Sequence, residues 1–495
     1  MKNINQLKNL LRQMLIPAGL SLILFACSEK QPAPENLNVL FISVDDLRPE
    51  LSCYGNNHVI SPNIDRLAQK GVLFERAYCQ QAICMASRAS IFTGIYPSSN
   101  NIYSCLSVKS LMPEAVTINK HFASAGYDVY GIGKLYHHGE DHREQFVDTW
   151  SNNRTWEGDQ NQGRGYVAAE SHAHLTDEGR GPAWENADVP DNAYSDGFYA
   201  DRAIEMLGEL KNSKKPFFFG VGFHKPHLPF NAPKKYWDLY DPDGITTAEN
   251  PYYPENGSEY GWHNSSELRN YTNIPKGDEP FPIDLQKMLI HGYRACVSYM
   301  DAQVGRILDA LEANGLSENT VVILWGDHGW KLGEHGMWIK HTNFEIDTRV
   351  PMIIAAPGMK QKVKSSSFAE FVDIFPTLAD LCGLEIPQQL HGRSLVPVLA
   401  NPEESVRDHA FSIWPSYRGN RTNKEKAILG YSVRTDYYRY TEWINVHSGE
   451  LLDRELYDHL NDPAENKNVI SNERYAEQLP ALEALIQNYR DNYQN

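Results

Sequence analysis

The sequence predicts an α/β protein: a large mixed, mostly parallel sheet flanked by helices, then a smaller C-terminal antiparallel sheet subdomain. Three observations point to it. Short apolar runs rich in β-branched or aromatic residues alternate with helical periodicities, the pattern of strand–helix–strand units. Gly, Asp, His and Lys follow directly on the ends of those runs, at the edge where open α/β sheets bind ligands. From about residue 405 the alternation shortens to period two, as in Tyr431-Ser432-Val433-Arg434-Thr435 and Tyr438-Arg439-Tyr440-Thr441-Glu442-Trp443, which reads as antiparallel strands.

Taken in order, residues 1–27 read as a lipoprotein-type signal peptide. Lys2, Lys8 and Arg12 precede an apolar stretch, Met14 to Ala26, and Leu24-Phe25-Ala26-Cys27 resembles a bacterial lipobox. A polar linker fills 28–37. The catalytic α/β domain is expected over 38–400 and the C-terminal subdomain over 401–495. Asn38 to Val44, Tyr127 to Ile132, Pro216 to Phe223, Thr320 to Trp325 and Val350 to Ala356 read as buried strands. Helical patterns occupy Ile64 to Gly71, a segment starting near Ser87, Leu285 to Leu311 (with Met300, Val304, Ile307, Leu308 and Leu311 on one face), Val372 to Leu384 and Tyr475 to Tyr489. Two long stretches, about 138–200 and 229–283, are rich in Gly, Asn, Pro, Tyr and Trp and lack periodicity; they read as insertions over the ligand edge.

The 495-residue chain carries a formal net charge of -17, which argues against nucleic acid and anionic membranes as partners. An anionic substrate would need a local cluster of Lys, Arg and His. With Cys27 assigned to the signal, the six remaining cysteines (53, 79, 84, 105, 296 and 382) have neither disulfide-framework nor zinc-site spacing. Cys84, four residues ahead of Arg88, is open to four readings at this point: thiol nucleophile, metal ligand, buried apolar residue, or modified residue.

Asp45-Asp46 and Asp327-His328 each follow a strand, which would gather three carboxylates at one sheet edge. Such clustering is costly without a cation, and hard oxygen ligands suit calcium or magnesium. Neighbouring strand ends supply Lys134 and His137, then His224, Lys225 and His227, and later Lys340. A divalent cation surrounded by cationic side chains suits an ester rich in non-bridging oxygens.

Cys84-x-Ala86-Ser87-Arg88-x-x-Ile91-x-Thr93-Gly94 resembles the signature of the type I sulfatases, formylglycine-dependent members of the alkaline phosphatase superfamily, with alanine where proline is usual. NVLFISVDDLRPELSCYG, SPNIDRLAQKG, GKLYH, VGFHKPHLPF, WGDHGWKLGEHGMWIKHTNFE, RVPMIIAAPG and ELYDHLNDPAENKN follow in that family's order. HKPHLPF and DHGWKLGEHGMWIKHTNF are most similar to the iduronate-2-sulfatase branch and its bacterial relatives. The resemblance implies an alkaline phosphatase-like sheet and a Ca2+ ion held by Asp45, Asp46, Asp327 and His328, with the modified Cys84 as a further ligand. It implies conversion of Cys84 to Cα-formylglycine by a maturation enzyme, Arg88 bound to the formylglycine hydrate, and Lys134 and Lys340 on sulfate oxygens. His137 would assist the hydrate and His227 would lie near the leaving-group oxygen; His138 and His335 take no role. The hydrate would attack sulfur with one hydroxyl and expel sulfate by deprotonation of the other.

The expected function is therefore hydrolysis of a sulfated saccharide, such as a 2-O-sulfated uronic acid, by an exported periplasmic or cell-surface enzyme of a Gram-negative bacterium. Its membrane link would be a lipid anchor at Cys27. The alternatives are a choline-sulfatase-like enzyme, a phosphonate or phosphodiester hydrolase of the same superfamily, and a non-catalytic glycan-binding lipoprotein. Arg434, Tyr438 and Trp443 are candidates for a saccharide surface, with ordinary sheet packing the favoured reading.

Overall fold

In the computed structural model, residues 37–104, 106–137, 141, 165–176, 179–418 and 427–494 are described; the signal peptide, the linker up to residue 36, Cys27, Cys105 and His138 lie outside them. In chain order the main elements are β1 (Asn38–Val44), α1 (Pro62–Ala68), β2 (Val72–Tyr78), α2 (Cys84–Thr93), β3 (Asp128–Gly133), α3 (Ser195–Leu210), β4 (Phe217–Phe223), α4 (Ile283–Ala313), β5 (Thr320–Gly326), β6 (Arg349–Val350), β7 (Met352–Ala355), β8 (Val363–Glu370) and α5 (Ile374–Leu381). The C-terminal part adds β9 (His409–Pro415), β10 (Ile428–Thr435), β11 (Tyr438–Asn445), β12 (Leu451–Asp458) and α6 (Leu479–Tyr493).

β1 is buried along its whole length because it lies inside the sheet with helices on both faces. Successive side chains alternate: Leu40, Ile42 and Val44 join the core under α1, α3 and α4, whereas Val39 and Phe41 join the core under α2 and α5. The strand order is β6-β2-β7-β5-β1-β4-β3, with β8 alongside β2. β3, β4, β1 and β5 are mutually parallel, and β7 runs antiparallel to both β5 and β2. The sheet is therefore mixed, with a parallel centre. Registers Val44↔Phe223, Val44↔Gly326 and Gly133↔Gly222 bring four carboxyl ends to one level. That alignment turns residues scattered over about 280 positions into neighbours.

β9 to β12 form an antiparallel sheet in simple order, and Leu482, Ile486 and Tyr489 of α6 pack on its Tyr431, Val433, Tyr440 and Leu456. Among the described residues no helix is long and apolar enough to cross a membrane.

Several elements differ from the sequence reading. β2 and β8 are additional strands, and α3 lies partly within the stretch read as irregular. α3 carries Gly197 in its first turn, followed by Phe198 and Tyr199, so that turn has the composition of the loop before it. A Cβ at Gly197 would fall 2.2 Å from the Asp191 carbonyl oxygen, and this close approach is what glycine permits there. Pro351 divides the expected strand Val350–Ala356 into β6 and β7. Trp443 is buried and donates to Glu455 Oε2 at 2.8 Å, and Arg434 is buried against Glu345 at 3.2 Å. These two side chains pack the subdomain and offer no open saccharide surface.

Candidate active site

The site forms where β1, β3, β4 and β5 end. Asp45 and Asp46 leave β1 directly, and Asp45 N still donates to Phe223 O at 3.2 Å across the sheet. Asp46 adopts a left-handed backbone (φ 59°), a conformation Asp tolerates better than most residues. This turn lets Asp46 N donate to Asp327 Oδ1 at 3.0 Å, and the Tyr293 hydroxyl pins it from α4 by donating to Asp46 O at 2.8 Å. Asp327 follows β5, with its N–H bonded to Val44 O at 3.0 Å.

Lys134 is delivered by Gly133, whose φ is 72° and where a Cβ would fall 2.0 Å from Gly222 O. Only glycine fits that crossing of β3 and β4. The Lys134 ammonium forms an ion pair with Asp45 Oδ2.

Cys84 opens α2, three residues earlier than the start expected near Ser87, and is buried at the helix N-terminus. One turn on, fully buried Arg88 bonds Asp327 Oδ2 at 2.8 Å, Ser43 Oγ at 3.2 Å, Leu135 O at 3.0 Å and the Lys134 carbonyl. Ser87 Oγ donates to Asp327 O at 2.5 Å. The 84–88 stretch is thereby fastened to both Asp strand ends. His328 Nε2 lies 3.2 Å from Cys84 Sγ, and its Nδ1 lies 3.4 Å from Asp46 Oδ1.

Lys340 reaches the floor from the loop after Trp338–Ile339, with Nζ 3.2 Å from Asp46 Oδ1 and 4.9 Å from the centre of the Trp330 ring. His227 Nε2 lies 3.9 Å from Asp46 Oδ2, while its Nδ1 is fixed on Leu228 O at 2.6 Å. Of the other residues after β4, His224 packs beside Asp196 with a 41% exposed side chain. Lys225 is buried and donates to the carbonyls of His227 and Pro229, so it shapes the turn. His137 is exposed, unlike the rest of the cluster. His335 is buried, with Nε2 2.8 Å from Ala464 O and its ring against Phe344.

One participant has no signature in the sequence. Glu267, from the 229–283 insertion, contacts Lys340 Nζ at 2.9 Å and His227 Nε2 at 3.1 Å. Its short segment, SSELRN, has no periodicity or motif that marks a functional carboxylate. Ser43, inside a buried strand, was equally silent.

The charges are strongly unequal in their settings. Burial raises the carboxyl of Asp45, but the cations of Lys134, His227 and Arg88 hold it well below the usual range. Burial raises Asp46, and Lys340 and His227 offset this only in part. Burial, reinforced by Asp45, pushes the Cys84 thiol up to about 11, so a thiolate is disfavoured at neutral pH.

The donor set fits a hard cation. Ligand atoms of Asp45, Cys84, Asp327 and His328 all lie within 4.8 Å of one another. Asp45 Oδ1 is buried with no hydrogen-bond partner, a vacancy that a cation would satisfy. Fold and site together define a hydrolase for an anionic ester, on an alkaline phosphatase-like frame.

Comparison with known proteins specifies the class. Residues 37–384 match the sulfatase family, and residues 333–492 match the C-terminal region of N-sulphoglucosamine sulphohydrolase. Iduronate 2-sulfatase of Mus musculus is 32% identical over 94% of this chain and 97% of its own length. An N-acetylglucosamine-6-O-sulfatase of Bacteroides thetaiotaomicron is 27% identical over 97% of this chain and 91% of its own. The phosphonate monoester hydrolase SpPMH of Silicibacter pomeroyi shares the fold, with a TM-score of 0.72 at 22% identity, covering 92% of this chain and 96% of that one. The chain belongs to the sulfatase family and is a sulfuric ester hydrolase.

Proposed function

We propose that the protein is a calcium-dependent, formylglycine-dependent exo-sulfatase that removes a sulfate ester from a saccharide, with a 2-O-sulfated hexuronate as its substrate class. The observation that carries the substrate is the likeness to iduronate 2-sulfatase, which spans 94% of the chain, including the insertions. The formylglycine rests on Cys84: a buried, protonated thiol bordered by carboxylates is a poor nucleophile, and it stands in the family's modification signature.

Asp45, Asp46, Asp327 and His328 hold the calcium ion, with residue 84 as a further ligand. The bound ion supplies positive charge for the sulfate oxygens and favours an ionised nucleophile. As a hydrated aldehyde, residue 84 supplies two hydroxyls on one carbon, one to attack and one to release sulfate.

The remaining work belongs to the chain's own side chains. Arg88, immobilised through Asp327, Ser43 and Leu135, presents its guanidinium to the oxygens of residue 84. Lys134 and Lys340 stand on two sides of the floor and bind the sulfate oxygens. His227, its Nδ1 held by Leu228, directs Nε2 toward the leaving alcohol and gives it a proton. His137, exposed beyond Lys134, assists the hydrate. A maturation enzyme acts on the 84–88 stretch, and the signal at residues 1–27 directs export with a lipid anchor at Cys27.

Two measurements test this reading. Peptide mass spectrometry after co-expression with a maturation enzyme should find residue 84 as an aldehyde; a free thiol there would refute the modification. Disaccharides differing only in sulfate position should show release from a terminal 2-O-sulfated hexuronate. Turnover of a small alkyl sulfate with none of these sugars would refute the saccharide assignment.

A further inference from the structure

The turn that carries His227 is tied into the molecule by a carboxylate outside the cluster described above. Asp196, in the first turn of α3, is fully buried. Its Oδ1 accepts His224 N at 3.0 Å and its Oδ2 accepts Lys225 N at 2.8 Å. One acid thus serves two consecutive peptide groups just beyond β4. Burying a carboxylate costs desolvation free energy, which these two charge-assisted hydrogen bonds offset.

From that anchor the turn closes on itself. His227 N donates to His224 O at 2.8 Å, and the buried Lys225 ammonium donates to His227 O at 3.0 Å and to the Pro229 carbonyl. The imidazole is fixed within the same turn, with Nδ1 2.6 Å from Leu228 O. Residues 224–229 therefore form one braced body, and where that body sits decides where Nε2 stands. The floor of the site is fixed by other bonds. Asp45 N on Phe223 O at 3.2 Å and Lys134 N on Gly222 O at 2.9 Å both lie upstream of the turn. Arg88 is held through Asp327, Ser43 and Leu135. Among the described residues, the hydrogen bonds of the Asp196 carboxylate go to the turn and to none of these floor groups.

Resting on the reading of His227 as the group that protonates the leaving alcohol, we infer that Asp196 is a positioning residue: through the 224–229 turn it sets where His227 Nε2 stands relative to the leaving oxygen. When the sulfur–oxygen bond breaks, the alcohol oxygen keeps the bonding pair and takes the Nε2 proton. A displaced ring therefore slows alcohols that leave poorly without a proton and spares those that leave as stable anions. Asparagine at position 196 offers one acceptor oxygen, and its NH2 would face the second peptide N–H and push the turn away.

The test uses matured, calcium-loaded full-length protein as wild type, Asp196→Asn, His227→Ala and the double variant. The substrates are a 2-O-sulfated hexuronate glycoside, phenyl sulfate and 4-nitrophenyl sulfate, in order of falling need for a proton on the leaving oxygen. His227→Ala sets the reference, losing most kcat on the sugar and least on 4-nitrophenyl sulfate. Asp196→Asn should lower kcat by about 30- to 100-fold on the sugar and about threefold or less on 4-nitrophenyl sulfate, with phenyl sulfate between and KM little changed. On the sugar the double variant should be no slower than His227→Ala, because the contribution of one acid cannot be lost twice. Equal losses on all three substrates, or losses that multiply in the double variant, would overturn the inference alone and leave Asp196 a purely structural acid. Failure of Asp196→Asn to fold in a thermal melt would overturn it as well, since Asp196 would then be a requirement of folding. Should His227→Ala slow all three substrates alike, the acid role of His227 falls and the inference falls with it. Should wild type leave the sugar untouched, the hexuronate assignment fails, and the two aryl sulfates decide the inference by the same pattern.

Discussion

Among the described residues, an acidic cluster at the sheet edge and a second behind the C-terminal sheet both have the composition of a metal site, but their carboxylate oxygens are filled differently. At the sheet edge, Asp45, Cys84, Asp327 and His328 converge; behind the C-terminal sheet, Glu345, His459 and Glu465 do the same. In the second cluster every carboxylate oxygen is already used. Glu345 Oε1 takes the Tyr78 hydroxyl at 2.9 Å and its Oε2 takes Arg434 at 3.2 Å and Arg439 at 2.7 Å. Glu465 Oε1 takes Arg439 at 2.6 Å and His459 at 2.9 Å, and its Oε2 takes Glu345 N at 2.7 Å. At the sheet edge Asp45 Oδ1 has no such partner, and Arg88 Nη2 stands 3.7 Å away from it. Convergent acids are therefore insufficient to make a cation site. Unfilled lone pairs make the difference, and arginines that fill them make a structural clamp.

The largest effect expected from this contrast is catalytic. Cys84→Ser should lower kcat by about 10³-fold or more, because a single hydroxyl cannot both attack and release sulfate, while urea denaturation shifts by less than about 1 kcal/mol. A serine variant within tenfold of wild type would make the thiol incidental.

Calcium removal comes next. Chelation should abolish turnover and lower the thermal midpoint, since an ion at 100 times its dissociation constant contributes about 2.7 kcal/mol to the folded state. Readded calcium should restore both. Equilibrium dialysis should count one ion per chain, unaffected by Glu465→Gln; a second ion lost in that variant would erase the distinction between the clusters.

Breaking the clamp should act on stability instead. Arg439→Leu leaves Glu345 and Glu465 facing each other without their shared cation and should cost about 3–5 kcal/mol in urea unfolding. The kcat of the folded fraction should change little. A stable variant with lost activity would show that the two clusters are coupled.

The smallest effect concerns acid. Burial would raise Glu465, but Arg439 and His459 hold its carboxyl at about 2. A depressed folded-state value contributes stability that is present above the unfolded value, near 4.3, and is lost as pH falls through about 2. The contribution is about 3 kcal/mol. Wild type should lose stability between about pH 5 and 2 more steeply than Glu465→Gln; parallel curves would remove Glu465 from the clamp.

Much of the site was legible before any coordinates because its residues sit at strand ends. Asp45, Asp46, Lys134, His227 and Asp327 each follow an apolar run, so reading those runs as buried strands, plus the rule for α/β sheets, put them on one edge. Arg88 was legible through the 84–94 signature. The segments that escaped were those whose partners are distant in sequence. β2 pairs with both β7 and β8, and β8 pairs with β2, so their strand character depends on neighbours more than on an apolar run of their own. Arg434 and Trp443 sit in alternating strands whose period leaves open what covers each face: the insertion brings Ser258 onto Glu455, and Glu455 then receives Trp443. Alternation tells that side chains face opposite ways; it does not tell whether a later layer covers the outer face.

The amino-acid order by itself determined the fold class, the acidic edge and the signature around Cys84, because those depend on local periodicity and on residues fixed at the ends of strands. Only the tertiary structure decided which of the charges are already spent. It matched Glu345 and Glu465 with arginines, left Asp45 Oδ1 without a hydrogen bond, and set Glu267 between Lys340 and His227. Hydrogen-bond satisfaction is a property of three-dimensional neighbours, and no linear spacing encodes it.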